Sequence, residues 1–109
     1  MQRMGMVLGL KPGKVEEYKR LHADVWPPVL ALLSAHGITN YSIFLKEPEN
    51  LLFGYWEYVG ADYATDMKAM AADPTNQAWW AICMPCQQPL EHRQEGEWWA
   101  MMPSVFHLD

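Results

Sequence analysis

Two cysteines in 109 residues, Cys83 and Cys86, are too few for a disulfide framework. Basic clusters are missing too: 8 Lys and Arg stand against 13 Asp and Glu, for a formal net charge of -5. Phosphate backbones are held by clustered cations, so nucleic acid is excluded as a partner. Long apolar runs are also absent. The stretch Met4–Leu10 near the start is closed by Lys11-Pro12, well short of the roughly 20 residues of a membrane span. It also lacks the basic flank of a secretory signal. The expectations are no membrane partner and a cytoplasmic address. No internal repeat or low-complexity segment interrupts the chain, and one domain over residues 1–109 is expected, since domains run from about 50 to 250 residues.

What the chain does have is aromatic surface: 6 Trp, 5 Tyr and 3 Phe. Such side chains serve a small core, a ligand cleft or a subunit interface equally well.

Met4–Leu10 reads as a buried strand closed by Lys11-Pro12-Gly13. From Lys14 the period becomes helical, with Val15, Tyr18, Leu21, His22, Val25 and Trp26 on one stripe. Pro27-Pro28 predicts a break or kink, with Asp24 as N-cap of the segment that follows. That segment continues through Val29, Leu32 and Leu33 to a stop at His36-Gly37. Ile38–Lys46 and Leu51–Tyr58 read as strands joined by the hairpin linker Glu47-Pro48-Glu49-Asn50. In the first, Tyr41, Ile43 and Leu45 share one face and Asn40, Ser42 and Phe44 the other. Gly60–Ala72 is helical, with Tyr63, Met67 and Met70 on one side. A further helix starts at Asp73-Pro74-Thr75 and runs through Trp79-Trp80 toward Met84, where Pro85 stops it. Gln87–Gly96 is polar without a period, and Trp98–Leu108 reads as a last strand, at an edge or interrupted because of Pro103. The order predicts an α+β, ferredoxin-like β-α-β-β-α-β sandwich, an antiparallel sheet with helices on one face.

Tyr18 and His22 are four residues apart, so a helix sets a phenol and an imidazole on one face, one turn apart. On pattern alone they are as well core or interface residues as catalysts. Trp79 and Trp80 are about 100° apart around a helix. One can form a wall of a ligand cleft while the other packs beneath it; two core tryptophans fit the pattern equally. Tyr41 is ambiguous on the same grounds. Trp98-Trp99 read as core or interface. His36 reads as a helix C-terminal residue, His92 as solvated and His107 as locally bonded. Cys83 and Cys86 lie at a helix end rather than at the start of one after a strand, which argues against a thioredoxin-like site. Two further ligands for zinc are lacking, so no metal is expected.

Several stretches occur together and in order: Pro12 with Glu16-Glu17-Tyr18-Lys19-Arg20-Leu21-His22, Val25-Trp26-Pro27, His36-Gly37 before Asn40-Tyr41-Ser42-Ile43, Asn50-Leu51-Leu52-Phe53-Gly54, Trp79-Trp80 with Met84, and Val105-Phe106-His107-Leu108. Across nearly the whole chain this set resembles the L-rhamnose mutarotase family. The resemblance implies a ferredoxin-like protomer of the dimeric α/β-barrel type that pairs as a homodimer through its sheet. It implies cofactor-free interconversion of the anomers of a monosaccharide, a six-carbon deoxy sugar, by acid–base ring opening and closure. It places the proton-transfer role on His22 and sugar contacts on Tyr18, Tyr41, Trp79 and Trp80. Mutarotation needs only proton traffic on two oxygens, for which histidine has the nearest unperturbed pKa.

The stretch Pro85-Cys86-Gln87-Gln88-Pro89-Leu90 departs from the family's Asn-Pro-Asp-Asn-type turn, and the segment before the last strand is longer. Both bear on the choice of sugar. Two other readings share the architecture: a cofactor-free monooxygenase of the dimeric ferredoxin-like type, and a non-catalytic sugar-binding or structural dimer.

Overall fold

The computed structural model describes residues 1–109. The elements are β1 (Gln2–Leu10), α1 (Val15–His22), α2 (Pro27–Ala35), β2 (Ile38–Lys46), β3 (Leu51–Tyr58), α3 (Tyr63–Ala72), α4 (Pro74–Cys83), a 3-10 turn (Met84–Cys86), β4 (Gln87–Gln88) and β5 (Ala100–Met102). All strand pairs are antiparallel, in the order β2-β3-β1-β4 with β5 also on β1. This is the ferredoxin-like arrangement expected from the sequence.

The last strand differs from expectation. Gly9 pairs with Gln88 and Val7 pairs with Ala100, so β4 and β5 are two pieces of one edge strand. Residues 89–99 leave the sheet between them. The polar stretch read as aperiodic therefore contributes Gln87–Gln88 to the ladder. The expected strand Trp98–Leu108 shrinks to Ala100–Met102, because Pro103 has no N–H to continue the pairing.

Alternation along β1 puts Met6, Leu8 and Leu10 on the face covered by the helices, where Leu8 and Leu10 pack with Leu52, Tyr18 and Cys86. Val29, Trp79 and Cys83 form a second cluster, and Ile38, Tyr58 and Met70 a third. In β2, Thr39 pairs with Glu57 but Ser42 pairs with Tyr55, leaving Asn40 and Tyr41 together opposite Trp56. Asn40 takes φ 47° to make this bulge, a left-handed conformation that asparagine tolerates better than most residues. The extra residue resets the parity of the strand. Ile38 and Ile43, five positions apart, thereby both contribute to the helix-covered side. Tyr41 packs edge-on against Trp56, ring centroids 4.9 Å apart.

The first helical stripe also ends sooner than its period suggests. α1 stops at His22 and α2 starts at Pro27, with Trp26 at the N-cap and no side-chain cap. Asp24 is therefore not the cap. Pro27 disfavours helix in the residue before it, and Trp26 is extended at φ -57°, ψ 128°. The proline itself suits the first helical position, where no N–H is needed. Val25 and Trp26 still pack on the Val29–Trp79–Cys83 cluster from outside either helix. Aspartates cap the remaining helices: Asp62 accepts from Thr65 N–H, and Asp73 from Thr75 and Asn76 N–H. α3 begins at Tyr63 rather than near Gly60. No helix is long and apolar enough to cross a membrane.

Candidate active site

Between the helices and the sheet lies a cavity of about 390 Å³, bordered by Tyr18, His22, Tyr41, Trp56, Trp79, Trp80, Trp98 and Trp99 among others. That volume lies within the usual range for small-molecule sites. All five residues assigned to the site by resemblance converge on it.

His22, the last residue of α1, is held on two sides. Its ring stacks on Tyr18 with centroids 4.0 Å apart, and it meets the edge of Trp79 at 5.4 Å. Nδ1 lies 3.0 Å from the main-chain oxygen of Tyr18. A carbonyl can only accept, so Nδ1 carries the hydrogen, and in the neutral ring Nε2 is left as a lone-pair acceptor. Burial holds the imidazole below its ordinary pKa, opposed by the bond to the Tyr18 carbonyl. His22 is accordingly a neutral base at neutral pH.

Tyr18 is buried, and loss of solvent drives its phenol well above the ordinary range; the Gln87 side chain beside it works in the opposite direction. Gln87 is itself fixed by the Trp98 indole, whose Nε1–H donates to Oε1 at 2.8 Å. Burial likewise pushes Tyr41 up to about 12. Both phenols are therefore neutral hydrogen-bonding groups rather than bases at neutral pH.

The tryptophan pair divides as its helical angle requires. Trp79 is buried and packs edge-on against Trp26 at 5.2 Å. Trp80 is 37 % exposed at the cavity mouth. Both border the cavity.

Trp98 and Trp99 pack on the Leu8 cluster, in line with the core reading, and both also border the cavity. A Cβ added at Gly54 would lie 3.2 Å from Cζ3 of Trp99 and 2.9 Å from Cγ of Met6. The glycine thus lets an indole lie on the strand. Trp56, Asn76 and Gln87 also border the cavity and were not singled out in the sequence. The departure of residues 85–90 from the family pattern was the one signal pointing toward Gln87.

The cysteines are protonated thiols. Burial raises Cys83 to about 12. Burial and the hydrogen bond to Glu17 raise Cys86 to about 11, with the Cys86 thiol donating to Glu17 Oε2 at 2.9 Å. Neither is an activated nucleophile. No three His, Cys, Asp or Glu side chains are grouped so as to hold a metal ion.

A family model described as L-rhamnose mutarotase matches residues 3–108. Over 109 residues, covering 100% of both chains, the sequence is 34% identical to the L-rhamnose mutarotase of Oceanobacillus iheyensis. It is 36% identical over 85 residues to that of Bacillus subtilis, covering 78% of this chain and 79% of the relative. In structure it resembles an L-rhamnose mutarotase of Formosa agariphila, with TM-score 0.81 and 24% identity over 100% of both chains. It also resembles the tetracenomycin F2 cyclase of Streptomyces glaucescens, with TM-score 0.66 and 16% identity over 100% of both chains. At these identities the two structural likenesses speak for the fold alone.

Proposed function

The chain belongs to the L-rhamnose mutarotase family, and from that premise we propose that it equilibrates the α and β anomers of L-rhamnose or a closely related deoxyhexose, with His22 moving the proton. The observation that carries this reading is the tie between His22 Nδ1 and the Tyr18 carbonyl, which leaves Nε2 as a free acceptor in a tryptophan-walled cavity of suitable size.

The anomeric hydroxyl oxygen and the ring oxygen are bonded to the same carbon, so one imidazole can serve both. Nε2 takes the hydroxyl proton, the ring C–O bond breaks to leave an aldehyde, and the proton passes to the former ring oxygen. Rotation about the bond between the first two carbons presents the other carbonyl face, and closure reverses each transfer. Tyr18 and Tyr41 hydrogen-bond the sugar oxygens without ionising. The indoles of Trp79 and Trp80 supply apolar walls for the C–H faces and the methyl group of a deoxy sugar. General acid–base catalysis of this kind contributes about 10²–10⁴-fold.

We further propose that this single domain works as a homodimer paired through the open face of its sheet. Phe44 and Phe53 lie opposite one another there, 66% and 37% exposed. Val105 and Phe106 in the tail are 95% and 80% exposed. Apolar groups left in water at this density suit a protein contact.

Saturation-transfer NMR on the anomeric protons of L-rhamnose tests the activity. Exchange faster than the uncatalysed rate is expected. No acceleration on any deoxyhexose at high protein concentration overturns the reading, and binding without exchange would indicate a sugar-binding module instead.

A further inference from the structure

Asn76 and Gln87 are the two buried polar side chains of the chain, 4% and 6% exposed, and both border the cavity that contains His22. They arrive from unrelated elements, the first turn of α4 and the short strand β4. Each is held by one half of its amide. Asn76 Nδ2 donates to the main-chain oxygen of Met70 at 3.0 Å, and Gln87 Oε1 accepts from Trp98 Nε1 at 2.8 Å.

These partners fix which way each amide points. A main-chain carbonyl can only accept, so the Asn76 atom facing Met70 is the nitrogen and Oδ1 is turned away from it. An indole N–H can only donate, so the Gln87 atom facing Trp98 is the oxygen and the NH2 is turned away. Asn76 Oδ1 has no partner within the chain. No fully buried side-chain polar atom is left unpaired, so this oxygen keeps some solvent access, and the residue borders the cavity. Gln87 Nε2 likewise has no hydrogen-bond partner within the chain, and it is available to a ligand.

A purely structural role does not explain this pattern. Pairing with Met70 and Trp98 accounts for one half of each amide, but it leaves the other half without a hydrogen bond in the chain, and half-satisfied polar groups are costly to bury. The cost is recovered when a ligand supplies the missing partners.

We infer that Asn76 and Gln87 read the sugar: a fixed acceptor and a fixed donor that engage ring hydroxyls away from the anomeric centre and so set which deoxyhexose is bound. The inference rests on the mutarotase reading given above. His22 and Tyr18 serve the reacting oxygens, while Asn76 and Gln87 take hydroxyls among those on carbons 2, 3 and 4. A hydroxyl donates to Asn76 Oδ1 and another accepts from Gln87 Nε2–H. A site built this way rejects a sugar lacking the hydroxyl, because its own polar group is then left unpaired.

The test pairs protein variants with 2-, 3- and 4-deoxy analogues of L-rhamnose. Binding is followed by indole fluorescence and exchange by saturation-transfer NMR. Gln87→Met removes the donor. Gln87→Glu keeps an oxygen for the Trp98 indole and replaces the N–H groups by an acceptor, so it controls for the packing of Trp98. Near-UV circular dichroism reports whether each variant keeps its fold. For both variants KM for L-rhamnose is expected to rise roughly tenfold with kcat nearly unchanged, the signature of lost uniform binding. One deoxy analogue should bind wild type and Gln87→Met equally weakly, and Asn76→Leu should pair in the same way with a different position. Unchanged KM and affinity in the folded Gln87 variants, or equal losses for every analogue, overturns the inference. So does a wild-type protein whose fluorescence no sugar alters. Failure of wild type to accelerate anomer exchange, with binding and pairing intact, overturns the mutarotase reading and leaves this one standing.

Discussion

The His22 imidazole lies almost flat on the Tyr18 ring, centroids 4.0 Å apart and planes at 24°, while its Nδ1 reaches the main-chain oxygen of the same tyrosine at 3.0 Å. One residue is thus both platform and clamp, and the two contacts separate under mutation. His22→Gln removes the proton carrier and should lower anomer exchange by about 10²–10⁴-fold, with circular dichroism unchanged. Tyr18→Phe keeps the ring and the carbonyl but loses the hydroxyl. A smaller loss of about tenfold, mostly in KM, is expected. A wild-type rate in His22→Gln would remove the histidine from the chemistry.

The pH dependence follows from the same burial. His22 is held below its ordinary value of 6.5 by loss of solvent. Its neutral form therefore persists to lower pH than that of a free imidazole. Exchange should be flat through neutrality and fall on the acid side with a midpoint below 6.5. Stability shifts in the same direction. The unfolded chain binds the His22 proton first as pH drops, so the folded state loses this contribution as pH falls below the ordinary histidine value. An acid midpoint at or above 6.5 in the rate profile would contradict the assignment.

Much of this site is local and therefore legible in sequence. Tyr18 and His22 meet because they are one helical turn apart, and Trp79 and Trp80 diverge because neighbouring helical positions must. The β2–β3 hairpin is announced by its polar linker. Contacts between distant residues were not legible. Gln87 lies beside Tyr18 and Trp98 only because residues 89–99 leave the edge strand and return to it. The bulge at Asn40 and Tyr41 depends on how β2 meets β3, not on β2 alone. Asp24 is a good capping residue on local grammar, yet the backbone demands of Pro27 placed the cap at Trp26.

The open sheet face gives a separate prediction. Phe44 is 66% exposed in the protomer, so Phe44→Lys should leave protomer stability nearly unchanged while placing a charge at the proposed dimer contact. Wild type should sediment as a dimer at micromolar concentration and the variant as a monomer. A variant that remains dimeric, or a monomeric wild type, would move the contact elsewhere or remove it.

Gly54 couples the strand to the cavity wall. A side chain there would meet Met6 Cγ at 2.9 Å and Trp99 Cζ3 at 3.2 Å. Gly54→Val should therefore overpack the site and cost about 1–3 kcal/mol. It should also displace the Trp99 indole, lowering both the thermal midpoint and sugar affinity in one variant. Urea unfolding and fluorescence titration read the two effects. Loss of stability with unchanged affinity would show that Trp99 contributes packing rather than a ligand wall.

At the far end of the sheet, Asp66 on α3 gathers three elements. It accepts from the Tyr58 hydroxyl of β3, and its other oxygen lies 2.9 Å from Nδ1 of His36, the residue that closes α2. The Tyr58 hydrogen bond first, and the His36 contact second, hold this carboxyl below its ordinary value of 3.8. A carboxylate with a depressed folded-state pKa stabilises the fold fully above its unfolded value. That contribution is lost as pH falls from there through the folded value. Asp66→Asn should therefore lower the thermal midpoint at pH 7, where the charge is present in wild type. As pH falls from 3.8 toward the lower folded-state value the contribution of the wild-type charge is progressively lost, so the two melting curves should draw together. Thermal scans of both proteins between pH 7 and pH 3 provide the check. A gap that stays constant over that range would mean that the shape of the side chain, rather than its charge, joins α2 and α3 to the sheet.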